Sequence, residues 1–279
     1  MRFPIWPAFA IVLAACSKKE PAESERKEPW LAQAPSATPA VVAHYVVAER
    51  CSAELELKAK EATPRGTFRV CKGDIGVDLT DLSRTKGTLA VDLGSVEMLG
   101  EGDAGRSDEL TQEAQNWLDI GASRPEAERE RLRWATFRLS EIDGLSAESA
   151  HAGKLERGGP AADDAPAPSD GDAEAPVKSE RRAVTFNARG SLLIHNVQID
   201  AKLPLRVVFH YAGAATPDAK PARLTIESRH PLGVVLRTHD IKPRDASGVF
   251  QSQSMKLIGS RVGAEARVSL AISAIIQAP

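Results

Sequence analysis

The sequence predicts an all-β, antiparallel fold built from long strands with one buried face. The main observation is strict alternation over residues 184–211, VTFNARGSLLIHNVQIDAKLPLRVVFHY. Apolar residues take every second position on both sides of His195-Asn196, and a period of two is typical of strands with one face in the core. Further alternating segments lie before and after this stretch. Long, one-sided strands of this kind close into a barrel or pack as a sandwich.

His195-Asn196 is predicted to form the tip of a hairpin. With the turn at this place, Ile194 faces Val197 and Leu192 faces Ile199, and the apolar residues of both strands share one face. A shift of one residue would put the two apolar sets on opposite faces, so this register is well specified. The candidate interior residues of the hairpin are Phe186, Leu192, Ile194, Ile199, Leu203, Leu205, Val207 and Phe209.

The N-terminus has the composition of a secretory signal. Residues 1–16, MRFPIWPAFAIVLAAC, combine a basic start with an apolar stretch too short to span a bilayer. Leu13-Ala14-Ala15-Cys16 resembles the bacterial lipobox, which implies a signal peptide over 1–15 and a lipid anchor on Cys16. The alternative is a plain secretory signal with an incidental cysteine. Ser17, in place of Asp, favours an outer-membrane lipoprotein that faces the periplasm.

Residues 16–40 are predicted to be a flexible tether. They mix charges with Pro, Ala and Ser and have no periodic apolar face, so they cannot bury enough surface to offset their ordering entropy. The remaining residues, 41–279, suit one domain or one large β-barrel. A net charge of −2 without a basic cluster argues against nucleic acid as a partner.

Three cysteines make one anchor and one pair, Cys51 and Cys71. An oxidising envelope favours a disulfide between them. A turn at residues 63–66, however, would pair Lys58 with Cys71 and leave Cys51 roughly 20 Å away, beyond the ~7 Å Cα separation that a bridge tolerates. If the flanking strands are not hairpin partners, a disulfide can form. The sequence is thus compatible with a disulfide and with two free thiols.

Two short helices interrupt the strand pattern. In SDELTQEAQNWLDIG, apolar residues recur every three or four positions, with Ser107 placed as N-cap and Gly121 as C-cap. The segment PEAERERLRW begins with Pro125 at a first-turn position and has acidic residues early. Strand alternation returns at residues 135–139.

Residues 146–180 are predicted to be a disordered insertion between two strands. They include GGPAADDAPAPSDGDAEAP, which is acidic, rich in Pro, Ala and Gly, and devoid of large apolar side chains. Later strands are predicted around residues 224–226, 234–236, 250–257 and 267–276.

The sequence contains none of the short motifs that carry common enzyme chemistry. There is no Gly-rich phosphate loop, no G-x-S-x-G and no C-x-x-C. His195 and His210 lie at opposite ends of one predicted strand, and His230 and His239 have no carboxylate or cysteine at ligand spacing. We therefore expect neither an enzyme nor a metal or cofactor site.

The hairpin and three other segments match a known pattern. Gly190, Leu192, Ile194, His195 and Val197 fit G-D-L-T-I-H-G-V; the other matches are Trp117-Leu118-Asp119-Ile120, Ala135-Thr136-Phe137 and Arg65-Gly66-Thr67-Phe68. On these residues the chain resembles the YceI-like polyisoprenoid-binding family over about 45–279. Asp108 and Thr111 stand where the family's helix has arginine and histidine, which weakens the case for its head-group contact. The resemblance implies a lipocalin-like barrel around a long apolar chain.

Two functions follow from these observations. The first is a lipid-anchored periplasmic protein that carries an isoprenoid or similar apolar lipid among the eight hairpin residues named above. The second is an envelope interaction protein whose barrel is filled and whose exposed face binds another protein. Alternation predicts an apolar interior in both cases, so it does not separate a tunnel from a packed core.

Overall fold

The computed structural model describes residues 41–48, 50–59, 63–100, 105–156, 179–242 and 262–277. The predicted signal peptide (1–15), the tether (16–40) with Cys16, and the strand predicted at 250–257 lie outside these ranges. None of the helices within them is long and apolar enough to cross a bilayer.

Twelve strands and two α-helices make up the described fold. The strands are β1 (Val42–Val47), β2 (Arg50–Ala59), β3 (Arg65–Asp78), β4 (Lys86–Asp92), β5 (Val96–Met98), β6 (Trp134–Asp143), β7 (Lys154–Leu155), β8 (Glu180–Ile194), β9 (Val197–Tyr211), β10 (Arg223–Ser228), β11 (Leu232–Val235) and β12 (Val262–Ile276). The helices are α1 (Asp108–Trp117) and α2 (Glu126–Leu132).

The strands pair into a closed antiparallel ring. Within the described residues the ring has eight positions: β1 and β2 share one, and the others belong to β3, β4, β6, β8, β9, β10 and β12. Closure occurs because β1 and β2 each pair with β12 on one side and with β3 on the other. The predicted lipocalin-like antiparallel β-barrel is confirmed. A ring of this size has an interior that side chains can fill or that can hold one slim ligand.

The central hairpin has the predicted register. Ile194 pairs with Val197 and Leu192 with Ile199, and the ladder continues without a shift to Glu180 and Tyr211. The turn at His195-Asn196 is tight, and both of its residues have positive φ.

Different segments cover the two ends of the barrel. At the end where the central hairpin turns, α1 and residues 236–241 pack on one buried apolar cluster. At the opposite end, the second cluster includes Leu82, Ile142 and Ala150. Ser107 caps α1 as predicted, since its side chain accepts a hydrogen bond from the Leu110 amide. The predicted C-cap at Gly121 is wrong: the helix ends at Trp117, and Asp119 takes the left-handed conformation.

The prediction of disorder over 146–180 is wrong for residues 146–156. Residues 146–156 fold against the barrel: the Ser146 amide donates to the Thr185 carbonyl, and Lys154 and Leu155 pair with β8. Ala150 is fully buried at the barrel end. Backbone hydrogen bonds and the burial of Ala150 hold this segment in place. Apolar periodicity in the sequence indicates neither. Most of the remaining insertion, 157–178, lies outside the described residues.

Cys51 and Cys71 form a disulfide, with 5.8 Å between their Cα atoms. The predicted turn at 63–66, which paired Lys58 with Cys71, is wrong. The Leu57 amide donates to the Pro64 carbonyl, and Leu55 pairs with Gly66, so the chain has already reversed before Thr63. Gly66 serves a strand contact rather than a turn, because a Cβ there would lie 2.6 Å from the Met98 sulfur.

The disulfide lies where β3 changes partner. β3 pairs with β2 as far as Val70 and with β1 from Asp74 onward, and Cys71 falls between these two stretches. Its partner Cys51 lies at the register shift between Arg50 and Ala53. The covalent link therefore holds the barrel wall at the place where the backbone ladder is interrupted.

Removing this bridge should destabilise the barrel. We expect the double variant Cys51→Ala/Cys71→Ala to lose about 3 kcal/mol of unfolding free energy, because opening a loop with a sequence separation of 20 frees the denatured chain. Urea unfolding of the wild type and the double variant, with and without a thiol reductant, measures the loss of unfolding free energy. The double variant is also the control for the reductant, which should not change its unfolding midpoint. An unchanged midpoint of the reduced wild type would contradict the bridge.

Candidate functional site

The barrel interior holds two apolar cavities. The first, of about 130 Å³, lies toward the end covered by α1, and the second, of about 100 Å³, lies toward the opposite end. Each approaches the ~150 Å³ of an apolar protein cavity known to stay dry and bind benzene. Among the described residues, no charged side chain lines either cavity. Such a space suits a hydrocarbon better than water or an ion.

Phe137 and Leu89 line both cavities and therefore lie between them. Phe137 projects from β6, and Leu89 is its partner on β4. The ring of Phe137 rests against Gly190 of β8, where an added Cβ would lie 2.9 Å from the ring tip and 2.0 Å from the Arg138 carbonyl oxygen. Glycine at position 190 thus leaves space for the Phe137 ring, which separates the two cavities.

The predicted interior residues divide between the two cavities, with one exception. Leu192, Ile194 and Leu203 line the first cavity. The second is lined by Phe186, Leu205, Val207 and Phe209.

Ile199 lines neither cavity. It packs, half-buried, against the apolar cluster at the hairpin end. β10 pairs with β9 only from Leu205 onward, so the stretch of β9 that carries Ile199 has no β10 partner among the described residues.

The other lining residues lie on helices and strands for which the sequence predicted no site residue. The first cavity is closed by Trp117 and Leu118 from the end of α1 and by Leu236 and Ile241 beyond β11. Opposite the central hairpin, β2, β3, β4 and β12 supply further side chains. Alternation in these strands marks them as half-buried, but only the order of strands around the ring shows which of them face the hairpin.

Among the described lining residues, Thr85 and Thr88 carry a side-chain hydroxyl, and both belong to the second cavity. Thr85 is only 6% exposed. Its Oγ1 is buried and has no hydrogen-bond partner in the described part of the chain.

Two strands that line the second cavity carry neutral polar groups. Burial raises the pKa of Tyr211 to about 12 and lowers the pKa of His210 to about 4, so both are uncharged near neutral pH. Burial also raises the pKa of Tyr45, whose hydroxyl donates to the Pro221 carbonyl at 2.9 Å.

No arrangement typical of metal chemistry occurs in the described ranges, which hold no group of three or more His, Cys, Asp or Glu placed to share an ion. His239 is fully buried, but its Nδ1 lies 3.3 Å from the Ile194 carbonyl, a contact that fixes the end of the hairpin. What the interior can do is hold an apolar molecule.

Comparisons with known proteins give resemblances of fold. No family model matches the chain, and no curated protein matches it significantly. Among solved structures, BcnA of Burkholderia cenocepacia is similar, with 13% identity and a TM-score of 0.44 over 80% of this chain and 95% of that one. A polyisoprenoid-binding domain from Saccharophagus degradans has 13% identity and a TM-score of 0.47, over 85% and 99% respectively. The second structure is named for the kind of domain that this sequence itself resembles, the YceI-like polyisoprenoid-binding family.

Proposed function

We propose that the protein is a lipid-anchored envelope protein that carries or sequesters an isoprenoid or similar long apolar chain inside its barrel. The observation that carries this proposal is the pair of apolar cavities on either side of Phe137. This is more space than a filled barrel normally leaves, because protein interiors pack with few voids larger than a water molecule. The choice of an isoprenoid follows the family resemblance of the sequence.

Binding would rest on burial of hydrocarbon. Each methylene moved from water into the cavities contributes about 0.8 kcal/mol. Since no charged side chain of the described lining faces the chain, contact is non-directional and tolerates ligands of differing length and branching. The proposed role is therefore carriage rather than conversion.

A second candidate function has one observation in its favour. Val46 and Ile275 are neighbours across β1 and β12, and they are 39% and 55% exposed. An apolar pair on the outer wall suits contact with another envelope protein. That reading makes the barrel a scaffold and needs no ligand.

Native mass spectrometry separates the two functions. The chain from Val41 onward contains every described element and can be exported to a periplasm behind an ordinary cleavable signal. We expect a stoichiometric apolar adduct, which lipid extraction then identifies. A clean ligand-free mass from folded protein, together with no uptake of added isoprenoid, would favour the scaffold.

Tryptophan substitutions test whether the cavities are the binding site. In Leu192→Trp and Leu205→Trp the indole can enter a cavity, so we expect lipid uptake to fall sharply while unfolding free energy changes by less than ~1.5 kcal/mol. Val184→Trp is the matched control, because Val184 is fully buried and lines neither cavity.

Overpacking should destabilise this control by ~1–3 kcal/mol or more. Thermal and urea unfolding, paired with lipid uptake, give both readouts. Equal destabilisation in all three variants would mean that the core is solid.

The membrane anchor is tested by labelling. In a diderm host, the full chain should incorporate labelled palmitate and fractionate with the outer membrane, because the sequence Leu13-Ala14-Ala15-Cys16 resembles the lipobox. Cys16→Ser should abolish the label while Cys51 and Cys71 are unchanged. Label that persists in Cys16→Ser, or an unlabelled wild type released to the periplasm, would refute the anchor.

A further inference from the structure

The hydroxyl of Thr85 is a polar group on an apolar wall. It is buried beside the second cavity, and no described residue forms a hydrogen bond with it. Buried polar groups in native proteins nearly always have a partner, since an unmade hydrogen bond is unfavourable in the interior. The group that satisfies Thr85 should therefore come from outside the described fold.

Thr88 does not share this environment. It lies beside Asp74 of β3 and Arg138 of β6 in the strand ladder, and both of these neighbours are exposed. Thr88 also touches the second cavity, but it is only half-buried, whereas Thr85 is buried. Thr85 is left as the one described hydroxyl buried at the cavity wall.

Water is a poor partner for Thr85. An ordered internal water needs two to four polar partners. Apart from Thr88, the other described side chains around this cavity, such as Leu82, Ile142 and Phe186, are apolar and offer no such partners.

We propose that Thr85 Oγ1 hydrogen-bonds the uncharged polar end of the bound chain, a hydroxyl or carbonyl oxygen, with the tail directed toward Phe137 and the first cavity. This inference rests on the proposed function, because it assigns the orientation and chemical class of that same ligand. It makes the second cavity the site of the polar end and the first cavity a site for hydrocarbon alone.

A phosphate or carboxylate end does not fit this place. No cationic side chain of the described lining could compensate a buried negative charge, and an uncompensated buried charge is strongly unfavourable. Asp78, a buried carboxylate at the same end of the barrel, would repel an anion further. The site therefore selects a neutral alcohol or carbonyl compound over its phosphorylated counterpart.

The test compares farnesol, farnesene and farnesyl phosphate on the purified full-length protein. Wild type, Thr85→Val and Thr88→Val are titrated by isothermal calorimetry, with Thr85→Ser as a variant that keeps the hydroxyl. We expect wild type to bind farnesol roughly tenfold more tightly than farnesene, the size of one neutral hydrogen bond, and more tightly than the phosphate. Thr85→Val should lose this preference, while Thr88→Val and Thr85→Ser should keep it.

The outcomes separate the two levels of the proposal. If Thr85→Val binds farnesene like wild type but no longer prefers farnesol, the assignment of Thr85 holds. Equal preference in wild type and Thr85→Val overturns the role of Thr85 and leaves the carrier function intact. If folded wild type binds neither farnesol nor farnesene, the carrier function is overturned, and the role of Thr85 with it. Tighter binding of farnesyl phosphate would overturn the neutral class.

Discussion

Closure of the strand ring is the constraint on which the rest of the structure depends. The ring closes only because the interrupted strand β1–β2 forms hydrogen bonds on both sides, with β3 and with β12. A barrel has no exposed edge and can enclose space that an open sheet cannot. The strand is interrupted between the end of β1 at Val47 and the start of β2 at Arg50, and the Cys51–Cys71 disulfide lies beside this break. Covalent closure and hydrogen-bonded closure therefore protect the same enclosed space.

The shape of that space follows from a few side chains. A ring of eight positions leaves an interior close to what side chains can fill, so the size of each inward residue decides whether a cavity remains. Between the two cavities, the ring of Phe137 lies against the bare backbone of Gly190 on the neighbouring strand β8. The two cavities lie on either side of it, lined mostly by aliphatic side chains, with Phe68 and Trp117 also at the first and Phe186 and Phe209 at the second.

The central hairpin was predictable because three local signals agree. Alternation, a turn-prone pair at His195-Asn196 and the shared apolar face all select one register, and that register is the one observed. The β2–β3 hairpin failed for the opposite reason. Thr63-Pro64-Arg65-Gly66 has the composition of a turn. In the structure, however, the Pro64 carbonyl accepts a hydrogen bond from the Leu57 amide, and the absence of a side chain at Gly66 leaves space for the Met98 sulfur. A glycine required by a distant residue has the same sequence signal as a glycine required by a turn.

The site was predictable only on the side that the hairpin supplies. Period two identifies which face of β8 and β9 is inward, and all of the candidates except Ile199 line a cavity. The facing residues depend on strand order, which is a long-range property that spacing does not encode. Thr85 belongs to no sequence pattern, since it lies between a 3₁₀ turn and β4. It stands out because its buried hydroxyl has no hydrogen-bond partner among the described residues, which the residue type does not reveal.

The position of Phe137 between the two cavities limits the length of lipid chain that the barrel can hold. Each cavity alone is too small for a long lipid, so a chain that occupies both must displace Phe137 or Leu89 from the position between them. Gly190 backs the Phe137 ring and leaves it no room to retreat toward β8. A chain that displaces either side chain would replace apolar contacts with apolar contacts.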